Sequence, residues 1–95
     1  MTRLRPKVDA NQSEIVDALR AAGASVCSLA GMAHGCPDLL VGWRGKNLLM
    51  EVKDSRKPPS ARKLTPDQLA WHSLWMGSVH VVSSVEDALA VLRER

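Results

Sequence analysis

Residues 38–53 read DLLVGWRGKNLLMEVK, in which two apolar runs flank the segment 43–46. This pattern predicts a β-hairpin. Side chains of a strand alternate between its two faces, so Glu51 and Lys53 share one face of the second strand. The opposite face carries apolar side chains that we expect in the core, namely Leu48, Met50 and Val52. The hairpin therefore places a carboxylate and an ammonium side by side above a packed core.

The register of the hairpin adds a second carboxylate. A turn of two or four residues centred between Arg44 and Gly45 pairs Asp38 with Glu51, whereas a three-residue turn pairs Asp38 with Val52. Directly opposed residues have Cβ atoms about 4.5 to 5.5 Å apart, and like charges there are destabilising. A divalent cation such as Mg²⁺ relieves this repulsion, because it takes one or two carboxylates and completes its shell with waters and phosphate oxygens.

These groups suit phosphodiester hydrolysis. Lys53 can orient or deprotonate a water, or neutralise the charge that grows in the transition state. The alternative is a structural role, in which Asp38 closes a turn after Pro37 while Glu51 and Lys53 form an exposed ion pair.

The amino-terminal part of the chain predicts a helix and a strand. The helix covers 10–22, with Asp9 as cap, Gln12 three residues later and Gly23 as stop. The partial alternation of 24–29 predicts a short strand.

The carboxyl-terminal part predicts two helices around one strand. Thr65-Pro66-Asp67-Gln68 combines an N-cap, a proline at the first helical position and a capping-box residue, so a helix is expected from there to Met76, ending at Gly77. A β-branched strand at 79–82 precedes a last helix capped by Ser83 with Glu86. The element order αβββαβα predicts an α/β fold.

Length and composition limit the function. A 95-residue chain is one small domain that buries about 60 to 65% of its unfolded surface, which excludes a multi-lobed enzyme. No apolar run approaches the roughly 20 residues of a membrane span, and the basic start lacks the apolar stretch of a secretory signal. We expect a cytoplasmic protein with no membrane partner, in the host cytoplasm if phage-encoded, with Cys27 and Cys36 reduced.

The positive charge is concentrated in two segments. The stretch 54–63 contains four basic residues and one acidic residue, and its net charge of +3 equals that of the whole chain. It belongs to a predicted basic loop, 54–64, and a basic arm covers 1–8. Such segments are often only solvated, but beside a catalytic centre they attract phosphates.

The motifs resemble a known nuclease family. Cys36-Pro37-Asp38, followed after twelve residues by Glu51-Val52-Lys53, is similar to the Pro-Asp…(Asp/Glu)-x-Lys signature of the PD-(D/E)xK nuclease superfamily. With the segments 35–42 and 63–68 and a Trp-bearing helix, the chain resembles the virus-type replication-repair nuclease domain, VRR-NUC, from Glu14 to the last helix. The resemblance implies a stand-alone phage or bacterial type of domain over 1–95. It also implies a restriction-endonuclease-like core with a central mixed sheet flanked by helices.

The resemblance also implies site residues. Asp38 and Glu51 would bind metal with the backbone carbonyl of Val52, and Lys53 would be the catalytic lysine. Glu14 matches an acidic residue that helps to bind metal or position water, although it is equally placed to be a surface residue.

Residues of the second long helix leave alternatives open. Gln68 matches a family glutamine near the active centre, but helix capping explains it equally well. Trp71 and Trp75 are interpreted as core or dimer interface. His72 and His80 are interpreted as ordinary helix and strand residues.

The sequence therefore predicts an Mg²⁺- or Mn²⁺-dependent DNA endonuclease without an organic cofactor, favoured as a homodimeric resolvase of Holliday junctions. Alternatives are a nicking, flap or restriction-like nuclease, a non-catalytic nucleic-acid-binding subunit, and an interaction module with incidental basic loops. The DNA backbone would be bound by the two basic segments, through Arg3, Arg5, Lys7, Arg56, Lys57, Arg62 and Lys63.

Overall fold

The structure, a computed structural model, describes residues 9–32 and 34–94. The predicted basic arm with Arg3, Arg5 and Lys7 lies outside the described residues. The elements follow the predicted order, with one additional short 3₁₀ turn at Pro59–Ala61. They are α1 (Gln12–Ala21), β1 (Ser25–Ser28), β2 (Leu39–Trp43), β3 (Lys46–Val52), α2 (Pro66–Leu74), β4 (Val79–Val82) and α3 (Val85–Arg93).

The four strands form one mixed sheet in the order β1-β2-β3-β4. The first three strands are antiparallel, and β4 pairs with β3 in parallel. Helices α1 and α3 pack against each other and against β1 and β4 respectively. The central mixed sheet flanked by helices is confirmed.

The hairpin turn is the two-residue form. Arg44 and Gly45 both have positive φ angles, 47° and 80°, as a type I′ turn requires. Leu39 consequently pairs with Met50, and Asp38, one residue before β2, comes opposite Glu51. The predicted register is confirmed.

Strand β3 is buried on both faces at its carboxyl end, over residues 49–52. Met50 and Val52 belong to the core, whereas Leu48 is only partly buried at its edge. Glu51 and Lys53, on the other face, are only 2% and 7% exposed. The alternative of an exposed ion pair is therefore wrong.

The start of α1 differs from the prediction. Asn11, not Asp9, occupies the N-cap position, and its side chain makes no capping hydrogen bond. Instead its amide donates to the carbonyls of Lys53 at 3.0 Å and Ser83 at 3.1 Å. These bonds tie the start of α1 to the ends of β3 and β4. Gly23, with φ 102°, ends the helix as predicted.

The other helix ends confirm one cap and correct two boundaries. Thr65 and Gln68 form the predicted capping box, but α2 ends at Leu74 rather than Met76. The N-cap of α3 is Ser84, which accepts from the Asp87 amide, rather than Ser83 with Glu86. Ser83 still belongs to the strand end, since its carbonyl accepts hydrogen bonds from Asn11 and from the Ser55 amide.

In the part of the chain that the structure describes, no helix combines the length and apolar character of a membrane span.

Neither Trp71 nor Trp75 belongs to the core cluster, so the core interpretation of these residues is wrong. Their rings stack on each other with centroids 4.6 Å apart.

Candidate active site

A cleft of about 500 Å³ opens beside the carboxyl end of β3. It is lined by acidic, basic and small polar residues from four parts of the chain: Asp9, Asp38, Glu51, Lys53, Lys57, Ser60, Ala61, Lys63, Thr65 and Gln68. Asp38, Glu51, Lys53 and Gln68 are thus brought together as predicted.

Asp38, at the start of the hairpin, is fixed by hydrogen bonds to its backbone carbonyl and to its carboxylate. Its carbonyl accepts from the Leu29 amide at 2.8 Å, and its Oδ2 accepts from the Val52 amide at 2.7 Å. The second hydrogen bond holds the Asp38 carboxylate against the backbone of Val52, the residue that follows Glu51. Asp38 therefore lines the cleft with its Oδ2 fixed by the backbone of β3.

Glu51 is a buried acid next to another acid. Burial, and then the charge and hydrogen bonding of Asp38, raise the pKa of Glu51 to about 8, while the Lys53 ammonium opposes this rise. Its Oε2 accepts from Gln68 Nε2 at 3.1 Å. When Glu51 is protonated, it shares its proton with the Asp38 carboxylate; when Glu51 is ionised, Oε1 has no hydrogen-bond partner among residues 9–32 and 34–94 although it is buried. A carboxylate in this state is stabilised by a positive charge at Oε1.

Lys53 is fixed by a neutral partner. Its Nζ donates to Gln68 Oε1 at 2.8 Å and lies 3.7 Å from Glu51 Oε2. The ammonium has two further N–H groups for other acceptors. Lys53 therefore presents a positioned donor to the cleft.

Gln68 serves both of the roles that the sequence left open. Its Oε1 accepts from the Thr65 amide at 2.9 Å and from Lys53, while its Nε2 donates to Glu51. Because an ammonium can only donate and a carboxylate accepts, the orientation of this amide is fixed. Helix capping and the contact with the active centre are made by one side chain.

Comparison with solved structures supports the resemblance to VRR-NUC domains. A structure described as a VRR-NUC domain is similar to this chain with a TM-score of 0.65 and 29% sequence identity, covering 87% of this chain and 90% of that chain. The chain has a VRR-NUC fold. Scans of protein-family models and of curated proteins gave no match. A VRR-NUC domain implies a nuclease of the PD-(D/E)xK type, with DNA as its substrate.

The cleft contains one acid, Asp9, that sequence reasoning assigned only to helix capping. Asp9 Oδ1 accepts from Lys57 Nζ at 2.7 Å, and both residues line the cleft with Glu51. The charge of Asp9 also contributes, as the smallest of the causes, to the raised pKa of Glu51. No local sequence pattern indicates this placement, because it depends on a contact between residues 48 positions apart.

Glu14 is placed elsewhere. It is exposed on α1 and lines a separate cleft of about 180 Å³ with Asp54 and Arg56. Its charge raises the pKa of Arg56, after the larger effect of Asp54. The structure does not bring Glu14 together with Asp38 and Glu51.

The basic loop divides into two kinds of residue. Lys57 and Lys63 line the cleft. Arg56 instead donates from Nε and from Nη2 to the two carboxylate oxygens of Asp54, both at 3.0 Å. Arg62 is half-buried. Of the four basic residues of this loop, Lys57 and Lys63 are thus the two that share the cleft with Asp38, Glu51 and Lys53.

His72 is a second residue that sequence reasoning missed. Its side chain is 11% exposed, and its Nε2 lies 4.0 Å from Glu51 Oε1. Burial, and then the Lys53 charge, lower the pKa of His72. Its position four residues after Gln68 places both on one face of α2, but the spacing alone does not indicate that this face covers Glu51.

The donor set of the cleft suits a hard divalent cation. The described part of the chain contains no cluster of three or more His, Cys, Asp or Glu side chains that could hold a metal. Mg²⁺ needs only one or two carboxylates, since waters and substrate phosphate complete its octahedron. The Asp38–Glu51 pair meets that requirement, since Glu51 Oε1 has no partner in the part of the chain that the structure describes.

Proposed function

We propose that this chain is an Mg²⁺- or Mn²⁺-dependent DNA endonuclease that acts as a homodimer on Holliday junctions. The observation that carries the proposal is the pair of half-buried Asp38 and buried Glu51, beside a lysine in a cleft with basic residues at its edge. Within residues 9–32 and 34–94, Glu51 Oε1 has no hydrogen-bond partner. Such a pair is costly without a cation and useful with one.

The cation would be held by Asp38, by Glu51 and by the backbone carbonyl of Val52. When bound, a divalent cation lowers the pKa of a coordinated water and stabilises negative charge on phosphate oxygens. The hydrogen bond from the Val52 amide to Asp38 orients one ligand. The hydrogen bond from Gln68 to Glu51 orients the other. Asp9, unlike Glu14, lies in this cleft, where it can hold a water.

Lys53 acts on the reacting groups. Its Nζ is directed by Gln68, and its remaining N–H groups can donate to the attacking water or to a non-bridging phosphate oxygen. Proximity to Glu51 keeps the ammonium in the cleft. Its fixed charge stabilises the additional negative charge of the transition state.

The basic residues around the cleft account for DNA binding. Lys57 and Lys63 would bind the phosphates that flank the scissile one, since phosphate contacts position nucleic acid without reading its sequence. Asp9 holds Lys57 through an ion pair. A residue that would bind DNA therefore lies in the same cleft as the residues that would hold the cation.

The dimer is supported by an apolar surface on and after α2. Four side chains there are 47 to 100% exposed, namely Leu69, Leu74, Trp75 and Met76. Exposed apolar patches on small domains mark interaction sites. With a radius of gyration of 13.2 Å, one copy engages only a short stretch of one strand, and two-fold symmetry supplies the second active centre that a junction needs.

The test is cleavage of a labelled four-way junction beside linear duplex, flap and single-stranded DNA, with Mg²⁺, Mn²⁺ or EDTA. Wild type is compared with Lys53→Ala and with the matched control Lys46→Ala, an exposed lysine at the other end of β3. We expect symmetric nicks that need metal and Lys53 but not Lys46.

Other outcomes would change the proposal. Metal-dependent cutting of a flap or of linear duplex instead of the junction would retain the active centre and refute junction specificity. DNA binding without any cutting would favour the non-catalytic alternative. A monomer by sedimentation at the concentrations that cut would refute the homodimer.

A further inference from the structure

Two buried polar atoms face each other across the Glu51 site without a partner. Glu51 Oε1 and His72 Nε2 both lack a hydrogen bond among the residues that the structure describes, and they lie 4.0 Å apart. One is an acceptor, and the other can be a donor. Leaving both unpaired is costly, whereas a single hydrogen bond satisfies both.

The surroundings restrict how this contact can form. His72 lies on α2 four residues after Gln68, and α2 is fixed at its start by the capping box. The imidazole is held edge-on to the Trp71 ring, with centroids 6.0 Å apart. The two atoms lie 4.0 Å apart, so the contact requires them to approach to the usual hydrogen-bond range of about 2.7 to 3.2 Å.

We propose that His72 is a positioning residue that donates from Nε2–H to Glu51 Oε1. Helix α2 then holds both carboxylate oxygens, Oε2 through Gln68 and Oε1 through His72. Each oxygen keeps a further lone pair for the cation. His72 fixes the orientation of the ligand and does not touch the substrate. The effect on the cation depends on the proposed function, whereas the contact between the two side chains does not.

The first test uses the metal-free wild-type protein at a pH above about 8, where the Glu51 carboxyl is ionised and can only accept. Long-range ¹H–¹⁵N correlation spectra of ¹⁵N-histidine protein identify the tautomer of each imidazole, and His72→Gln assigns the signal of residue 72. We expect the Nε2–H tautomer, and a change of its shifts in Glu51→Ala. A proton on Nδ1 alone, or no response to Glu51→Ala, would overturn the proposal even if the protein cuts nothing.

The second test measures binding of Mn²⁺ alone by the electron paramagnetic resonance signal of the free ion. Loss of a side chain that orients a metal ligand typically weakens metal binding about 10- to 100-fold. We expect His72→Leu to weaken Mn²⁺ binding about tenfold by this reasoning. His72→Gln, which keeps an N–H donor, should remain within about threefold of wild type. The matched control is His80→Gln, because His80 pairs with the core residue Met50 and so lies on the face opposite Glu51.

Cleavage then separates positioning from structure. The Mg²⁺ concentration for half-maximal cleavage should rise about tenfold in His72→Leu, while the rate at saturating Mg²⁺ stays within about threefold. Equal losses in His72→Leu and His72→Gln, or unchanged metal dependence in both, would refute the positioning role. If wild type neither binds Mn²⁺ nor cuts DNA, the proposed function fails, and the tautomer alone decides the contact.

Discussion

Replacing Glu51 with Gln is expected to stabilise the metal-free protein at neutral and alkaline pH. The unfolded chain loses the Glu51 proton near 4.5, whereas the folded chain keeps it to about 8. Between these values the folded state binds one more proton than the unfolded state, so the free energy of unfolding falls as the pH rises. Glutamine is neutral at every pH, so the free energy of unfolding of Glu51→Gln does not fall in this way as the pH rises.

The magnitude follows from the pKa difference. One pKa unit corresponds to about 1.4 kcal/mol, so a rise from 4.5 to about 8 sets an upper bound of about 5 kcal/mol on the difference between wild type and Glu51→Gln. The neighbouring Lys53 and local opening of the cleft reduce it, and we expect about 2 to 4 kcal/mol at pH 8. Near pH 4.5 the two proteins should be nearly equal.

The assay is urea unfolding in EDTA at pH 5, 6, 7 and 8, repeated with Mg²⁺. Mg²⁺ should stabilise wild type at pH 8 and have little effect on Glu51→Gln. The matched control is Glu86→Gln, an exposed glutamate on α3, which should follow wild type. If the stabilities of wild type and Glu51→Gln stay parallel from pH 5 to pH 8, the reasoning from burial beside Asp38 is refuted.

Three further predictions concern the surroundings of Glu51. Asp38→Ala should abolish metal-dependent cleavage and lower the free energy of unfolding by about 1 to 3 kcal/mol, because the Val52 amide loses its acceptor; unchanged urea midpoints would contradict this. Gly35→Ala should lower stability and cleavage together, since Gly35 has φ 82° and a Cβ there would collide with the Asp67 carbonyl at the start of α2; Gly45→Ala, at φ 80° with open space, separates the backbone strain from the collision. Lys57→Ala and Lys63→Ala should each reduce the salt dependence of DNA binding by about one unit of slope; Arg56→Ala should change it less, because Arg56 lines the separate cleft with Glu14 rather than the cleft of Glu51, and equal effects would refute the division of the loop.

The hairpin could be predicted because its information is local. The sequence Trp43-Arg44-Gly45-Lys46 fits a two-residue turn, and the alternation of 48–53 fixes which side chains share a face. The register that pairs Leu39 with Met50 then brings Asp38 next to Glu51. The capping box at Thr65 was predictable for the same reason, since all of its atoms lie within four residues.

The missed residues depend on contacts between distant parts of the chain. Asp9 was predicted as a helix cap, but Asn11 ties α1 to the ends of β3 and β4 and so shifts the start of the helix. Asp9 is left beside Lys57 in the cleft. His72 was predicted as an ordinary helix residue because its spacing from Gln68 does not reveal which element that face of α2 covers.

The parallel pairing of β3 and β4 explains why α2 contributes so much of this site. A parallel pair needs a connection that crosses over the sheet, and here that connection contains α2, whose Gln68 reaches Glu51 on the face opposite the core. The first turn of α2 therefore lies against the end of β3. At this place the start of the helix needs a cap, and the Lys53 ammonium needs a hydrogen-bond partner. Gln68 Oε1 meets both needs by accepting from Thr65 and from Lys53. Because one oxygen accepts both hydrogen bonds, the start of α2 cannot loosen without releasing Lys53, and the position of the Lys53 ammonium is coupled to the stability of the helix that supports it.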